Sequence, residues 1–400
     1  MTEKTERILA VDVFRGLTIL MMIFVNDLAS IKDIPFWMKH MPTEVDGMTF
    51  VDLVFPAFLF IVGMSIPLAL KKRLSVGDKP LKIWLHILIR TVGLLVLGLF
   101  MVNTGSLNEE LTGISKHTYL LSFCIAVILL WNQYPKSSGN KKILNNILRA
   151  AGVVILFVLA FIYRSGTVEN IGWFHTYWWG ILGLIGWAYL LASIIYYIFK
   201  TNITALIGAF VLLILLYIGD KFNLLGIFQS LSKTLWIGGH IGGHTAITLA
   251  GVIVSIVIMT NVVSEKRNKK IIWVLSFSAF IIAAGYFIRP LYGISKNLST
   301  PTFALYSSAI CSVLFCFLYW ITDIMQIRKW TFFVLPAGSN PLLAYILPDI
   351  FYSIIGLMGI TFLSDNFGSG VWGIIRSLVF AFVMVYITSI FSKYKIRLHL

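Results

Sequence analysis

The sequence is short of charge, of acid and of cysteine. Only 12% of its 400 residues are charged, and 17 acidic side chains stand against 32 basic ones. So few charges exclude an ordinary soluble surface, because soluble domains carry about a quarter of their residues as Asp, Glu, Lys or Arg. Cys124, Cys311 and Cys316 are odd in number, lack paired spacing and lie in apolar runs. That excludes a disulfide framework and a thiolate metal cluster, and it leaves them as packing residues. No extended polar stretch leaves room for a separate soluble domain, and no low-complexity tract or internal duplication is visible. The net charge of +15 is spread over short loops, not gathered into one patch with exposed aromatics, so no nucleic-acid partner is expected.

What the chain has in quantity is apolar length. Hydrophobic residues make up 58% of it and the mean hydropathy is +0.88. Its runs reach the roughly 20 residues that carry a helix across a bilayer. The expected fold is therefore all-α, a single polytopic membrane domain over residues 1–400 in which each helix satisfies its own backbone. Asp12 and Arg15 interrupt the first apolar run and no small-residue cleavage site follows, so that run is read as a retained membrane helix and not as a cleaved leader.

Hydropathy places about twelve spans, near Ile8–Ser30, Val51–Leu70, Ile83–Val102, Thr118–Trp131, Ile143–Tyr163, Tyr177–Phe199, Ile203–Ile218, Thr245–Val263, Ile271–Ile288, Thr302–Met325, Leu342–Leu363 and Val371–Ser392. Basic residues recur in alternate loops: Lys71 to Lys79; Lys136, Lys141 and Lys142; Lys200; Lys266 to Lys270; Arg328 and Lys329; Lys393 to Arg397. The positive-inside rule sets these loops and both termini in the cytoplasm. The opposite side then receives the His40 loop, the loop from Asn103 to Lys116, the glycine-rich stretch Gly238–Gly243 and the Asp365 turn. The charge itself is accounted for by this topology and by anionic lipid.

Polar residues in apolar surroundings mark candidate sites, since charge inside hydrocarbon is costly. Asp12 and Arg15 are i,i+3 neighbours that can pair, and Arg15 and Asn26 are separated by close to three helical turns, so they share a face. That face is either a polar stripe able to line a path, or an interfacial ion pair with one Asn holding two helices together. His40 sits in the loop 31–50 with Trp37, Pro42, Glu44, Asp46 and Gly47, a composition suited to a folded loop at the membrane surface. Its imidazole can act as base or nucleophile, and Asp52, opening the next span, can orient that ring or cap the helix. His86 and Arg90 are i,i+4 neighbours near a cytoplasmic helix end, where Arg90 either snorkels to lipid or meets an anion. Asn340, in Gly-Ser-Asn-Pro, either caps a helix or offers donors to a ligand.

His240 and His244 stand four apart among four glycines. On a helix that spacing suits a metal, but the glycines argue against a helix and no carboxylate or thiol is near in sequence, so no metal is expected. Interfacial packing and an acceptor-lining loop remain open for them. Trp173, Tyr177, Trp178 and Trp179 read first as an interfacial belt and second as a stacking platform for a sugar.

Several of these segments together resemble a known family. Val-Asp-Val-Phe-Arg-Gly-Leu-Thr at 11–18, Val-Asn at 25–26, a His in the following loop and Asp-Leu-Val-Phe-Pro-Ala-Phe-Leu-Phe-Ile-Val-Gly at 52–63 look like the heparan-alpha-glucosaminide N-acetyltransferase family of transmembrane acyltransferases and its bacterial relatives. Arg90 with Leu-Gly-Leu-Phe at 97–100 and Asn103, then Gly338 to Leu342 with Tyr345, resemble its later segments. The likeness covers the first hundred residues strongly and the middle thinly. The His40 to Asp52 gap is longer than the family pattern, and Lys116-His117-Thr-Tyr stands where the family has a Gly-Val-Leu-Gln-Arg-like motif.

The resemblance implies acetyl transfer from cytosolic acetyl-CoA to the amine of an amino sugar or glycan on the outer face, in a bacterial cytoplasmic membrane. It implies His40 as the active-site residue with Asn26 and Asp52 beside it. Arg15, His86, Arg90 and Asn340 are then the candidate contacts of acetyl-CoA, and His240, His244 and Trp37 those of the acceptor. The assembly is either a single chain or a homodimer. The rival reading is a permease for an amino sugar, although Asp27, Asp323 and Asp349 are few mid-span carboxylates for a proton-coupled carrier.

Overall fold

The computed structural model describes residues 8–135, 138–177 and 180–400. Among them ten helices are long and apolar enough to cross a membrane and two more are shorter, so the chain is an all-α polytopic protein. In chain order they are α1 Leu9–Leu28, α2 Phe50–Ser75, α3 Pro80–Gly105, α4 Lys116–Trp131, α5 Asn140–Ile162, α6 Ile181–Phe199, α7 Ile203–Lys221, α8 Ile237–Met259, α9 Arg267–Tyr292, α10 Pro301–Ile324, α11 Pro341–Leu357 and α12 Gly370–Lys393. A small hairpin, β1 Ser165–Thr167 against β2 Asn170–Gly172, is the one sheet among the described residues. Each hydropathy span meets one of these helices. Trp178, Trp179 and Lys136, singled out above, lie outside the described residues.

Contacts divide the chain into two compact units, each woven from separate stretches of chain. One takes the chain up to Thr18, Pro35–Leu95 and Ile181–Trp330; the other takes Ile19–Ile34, Val96–Gly180 and Thr331–Leu400. The boundaries fall within α1 and α3, so neither unit could be cut out as one segment.

The first unit is organised around α8, which is buried almost all round and packs most heavily on α2. Glycine makes that approach: a Cβ on Gly63 would lie 1.8 Å from the Thr248 carbonyl oxygen, and one on Gly251 would lie 2.0 Å from that of Phe60. Small residues let membrane helices close to backbone contact, and the Ser255 hydroxyl then donates to the Met64 carbonyl at 2.9 Å.

Four glycines around His240 led the sequence reading away from a helix there, and the structure corrects this. Ile237–Gly243 is a wide π-helical turn that runs straight into His244–Met259. Its glycines are spent on close packing, since a Cβ on Gly242 would meet the Leu213 carbonyl oxygen at 2.7 Å and one on Gly243 the Ser299 hydroxyl at 2.6 Å. Packing of this kind outweighs the poor helix propensity of glycine.

In the second unit α4 packs on α5 and α11, and α11 on α12. Asn103 and Tyr163 tie its chain together: the Asn103 amide donates to the His175 carbonyl at 2.9 Å, and the Tyr163 hydroxyl donates to the Asn103 carbonyl at 2.9 Å.

Candidate functional site

The local sequence builds the His40 site at the start of α2. Thr49 and Asp52 form a capping box, the pattern in which an N-cap Thr and an acidic residue three further on satisfy each other's backbone amides. Asp52 Oδ2 accepts from the amides of Thr49 and Met41, both at 3.1 Å. Its other oxygen, Oδ1, is free for His40, whose Nδ1 lies 2.7 Å away. An ionised carboxylate there fixes the proton on Nδ1 and leaves Nε2 with its lone pair. Asp52 is 1% exposed and the His40 side chain 46%, so a buried anchor holds an accessible ring.

A third group completes the cluster. Lys296, in the turn between α9 and α10, brings Nζ to 3.2 Å from His40 Nδ1 and 3.9 Å from Asp52 Oδ1. Its turn is bound to the His40 loop by Asp46, which accepts from Arg289 Nε at 3.0 Å and from the Ile294 amide at 2.7 Å, and by Asn297, which donates to the Thr43 hydroxyl at 2.8 Å. Burial pushes the pKa of Lys296 below the ordinary lysine value, and the Asp52 charge works in the opposite direction. Sequence reasoning missed Lys296 because it lies 256 residues from His40.

The other candidates are distributed as follows. Trp37 is exposed, in a short 3-10 turn, with its ring 5.6 Å from that of Phe50. His240 and His244 are buried with rings stacked 5.9 Å apart, and each leaves Nδ1 without a hydrogen-bond partner. Arg15 donates to Asp12 at 3.1 Å and to the Ser65 hydroxyl at 2.7 Å, which ties α1 to α2. Arg90 lies over the Tyr189 ring at 4.6 Å, joining α3 to α6. Around it the α2–α3 turn gathers Arg73, Lys82 and His86 against one acid, Asp78. All of these belong to the first unit.

Asn26 and Asn340 belong to the second unit. Asn340 neither caps its helix by its side chain nor presents an unused amide. It donates to the Ser392 hydroxyl and the Ile396 carbonyl and accepts from the Leu398 amide, all between 2.9 and 3.1 Å, and so pins the chain that follows α12. Asn26 lines a cavity of about 160 Å³ with Asp27, Tyr345, Asp349, Tyr352 and apolar neighbours. Asp27 accepts from Arg376 at 3.1 Å and from the Tyr352 hydroxyl.

Fold and site together define a multi-pass helical membrane protein with an exposed histidine oriented by a buried aspartate. The chain belongs to a domain family of unknown function (DUF5009), whose model matches residues 7–238. It is similar to heparan-alpha-glucosaminide N-acetyltransferase of Mus musculus, 33% identical over 142 residues that cover 33% of this chain and 21% of that protein. It is also similar to the protein of that name from Homo sapiens, 32% identical over 132 residues that cover 31% of this chain and 19% of the other. The match thus spans about a fifth of the length of these relatives.

Proposed function

We propose that the chain is a transmembrane acyltransferase that moves acetyl from acetyl-CoA to the amine of an amino sugar or related glycan. The observation that carries this reading is the His40–Asp52 pair at 2.7 Å, an imidazole whose Nε2 is left basic and accessible. Similarity to the two named acetyltransferases supports the group transferred and the class of acceptor.

In this reading the acceptor ammonium first loses a proton to water, and His40 Nε2 takes the next one as the amine nitrogen bonds to the thioester carbon. The C–S bond then breaks, CoA leaves as thiolate, and the imidazolium returns its proton to the sulfur. An acyl-histidine route uses the same nitrogen as nucleophile. Asp52 stabilises the imidazolium in either route. The cations Arg73, Lys82 and Arg90, with the neutral His86 ring as a further donor, hold the phosphates of CoA on the cytoplasmic side, while the amine is acylated on the outer side of a bacterial cytoplasmic membrane.

The test is transfer in sealed proteoliposomes, with glucosamine trapped inside, labelled acetyl-CoA outside and the protein oriented both ways. Acetylated sugar forming inside, and none in liposomes with His40→Ala, supports the proposal. Saturable uptake of unmodified glucosamine with no acetylated product overturns it in favour of a permease.

A further inference from the structure

We infer that the cavity in the second unit is a binding subsite for a small hydroxylated primary amine, whose ammonium pairs with Asp349. It rests on the acyltransferase reading only for naming the amine as an amino sugar.

Two carboxylates line this cavity and they differ in what they already hold. Asp27 is satisfied, by Arg376 at 3.1 Å and by the Tyr352 hydroxyl. Asp349 accepts no hydrogen bond and meets no cation among the described residues, although it sits in the apolar helix α11. A carboxylate at that depth is costly unless something neutralises it. With Asp27 held by Arg376, Asp349 is the lining carboxyl left without a partner, and an ammonium placed against it would form the missing pair. Such a site favours a cation and rejects the phosphates of CoA, so it is not a donor site.

The remaining walls suit a sugar ring. Tyr345 is without a hydrogen-bond partner among the described residues, and Asn26 lines the same cavity, giving polar groups for hydroxyls. Phe380 and the side chains of Met22 and Ile23 supply an apolar face for ring carbons. The cavity of about 160 Å³ limits its occupant to one small molecule. Pro348, beside Asp349, has no amide to donate to the Ala344 carbonyl one turn back.

The inference is tested by calorimetric titration of the full chain in detergent with glucosamine, N-acetylglucosamine and glucose, with no acyl donor present. Glucosamine is expected to bind saturably and at least tenfold more tightly than either neutral sugar. Asp349→Asn, nearly the same size, is expected to lose that preference while melting at the wild-type temperature. Equal affinity for the three sugars in the wild type, no binding of glucosamine, or an unchanged preference in Asp349→Asn would each overturn the inference. Because no acetyl-CoA is used, bound amine without acetyl transfer would fault the acyltransferase reading alone.

Discussion

Asp52 and Asp349 are both carboxylates on membrane helices, and their surroundings are opposite. Asp52 lies at a helix start, where two backbone amides, His40 and Lys296 use its oxygens. Asp349 lies inside a helix and no donor reaches it among the described residues. The first is a finished local structure that orients a reactive ring. The second is a carboxyl without a partner, and an unsatisfied polar group in an apolar place is what a ligand can satisfy.

Replacing each carboxylate with alanine separates the two roles most widely. Asp52→Ala strands two backbone amides and removes the orienting charge, so unfolding stability should fall by about 1–3 kcal/mol and acetyl transfer by about a hundredfold or more. Asp349→Ala should melt at or above the wild-type temperature, since it deletes a charge with no partner. Equal destabilisation of both variants, read by thermal melting in detergent, would erase the distinction.

The packing beneath Asp52 gives the next effect. Gly63→Ala drives a methyl into the Thr248 carbonyl and should cost about 1–3 kcal/mol with parallel loss of activity. Gly208→Ala, in α7 with open space around it, should be neutral or stabilise by about 0.5–1 kcal/mol. A denaturation series on both variants checks the pair.

The smallest expected effect comes from Lys296. Its Nζ lies 3.2 Å from His40 Nδ1 and 3.9 Å from Asp52 Oδ1, so Lys296→Met should cost about 0.5–1 kcal/mol of unfolding stability and Lys296→Arg less. Thermal melting in detergent reads the difference. A Lys296→Met melt at the wild-type temperature would mean that the contact adds nothing to the His40–Asp52 pair.

Local signals were legible and distant ones were not. The apolar runs announced the helices, and Asp52, opening the second run, announced a carboxylate able to orient His40 or cap α2. Nothing in the sequence tied Lys296 to that pair, because the contact is closed only by the Asp46–Arg289 and Asn297–Thr43 links between two loops. The glycines of 238–243 were misread as a loop signal because their use is tertiary, in approaches to Leu213 and Ser299. Asn340 looked like a cap by position, yet its partners come from residues 392–398, which no local pattern reveals.

The most direct test of the account is the rate of acetyl transfer from acetyl-CoA to glucosamine by purified wild type and by His40→Ala, with melting curves recorded on the same samples. The account predicts measurable transfer by the wild type and a fall of about 10²–10⁴-fold in His40→Ala with an unchanged melt, because the ring is exposed and its loss removes chemistry and little packing. Transfer by His40→Ala at the wild-type rate would contradict it.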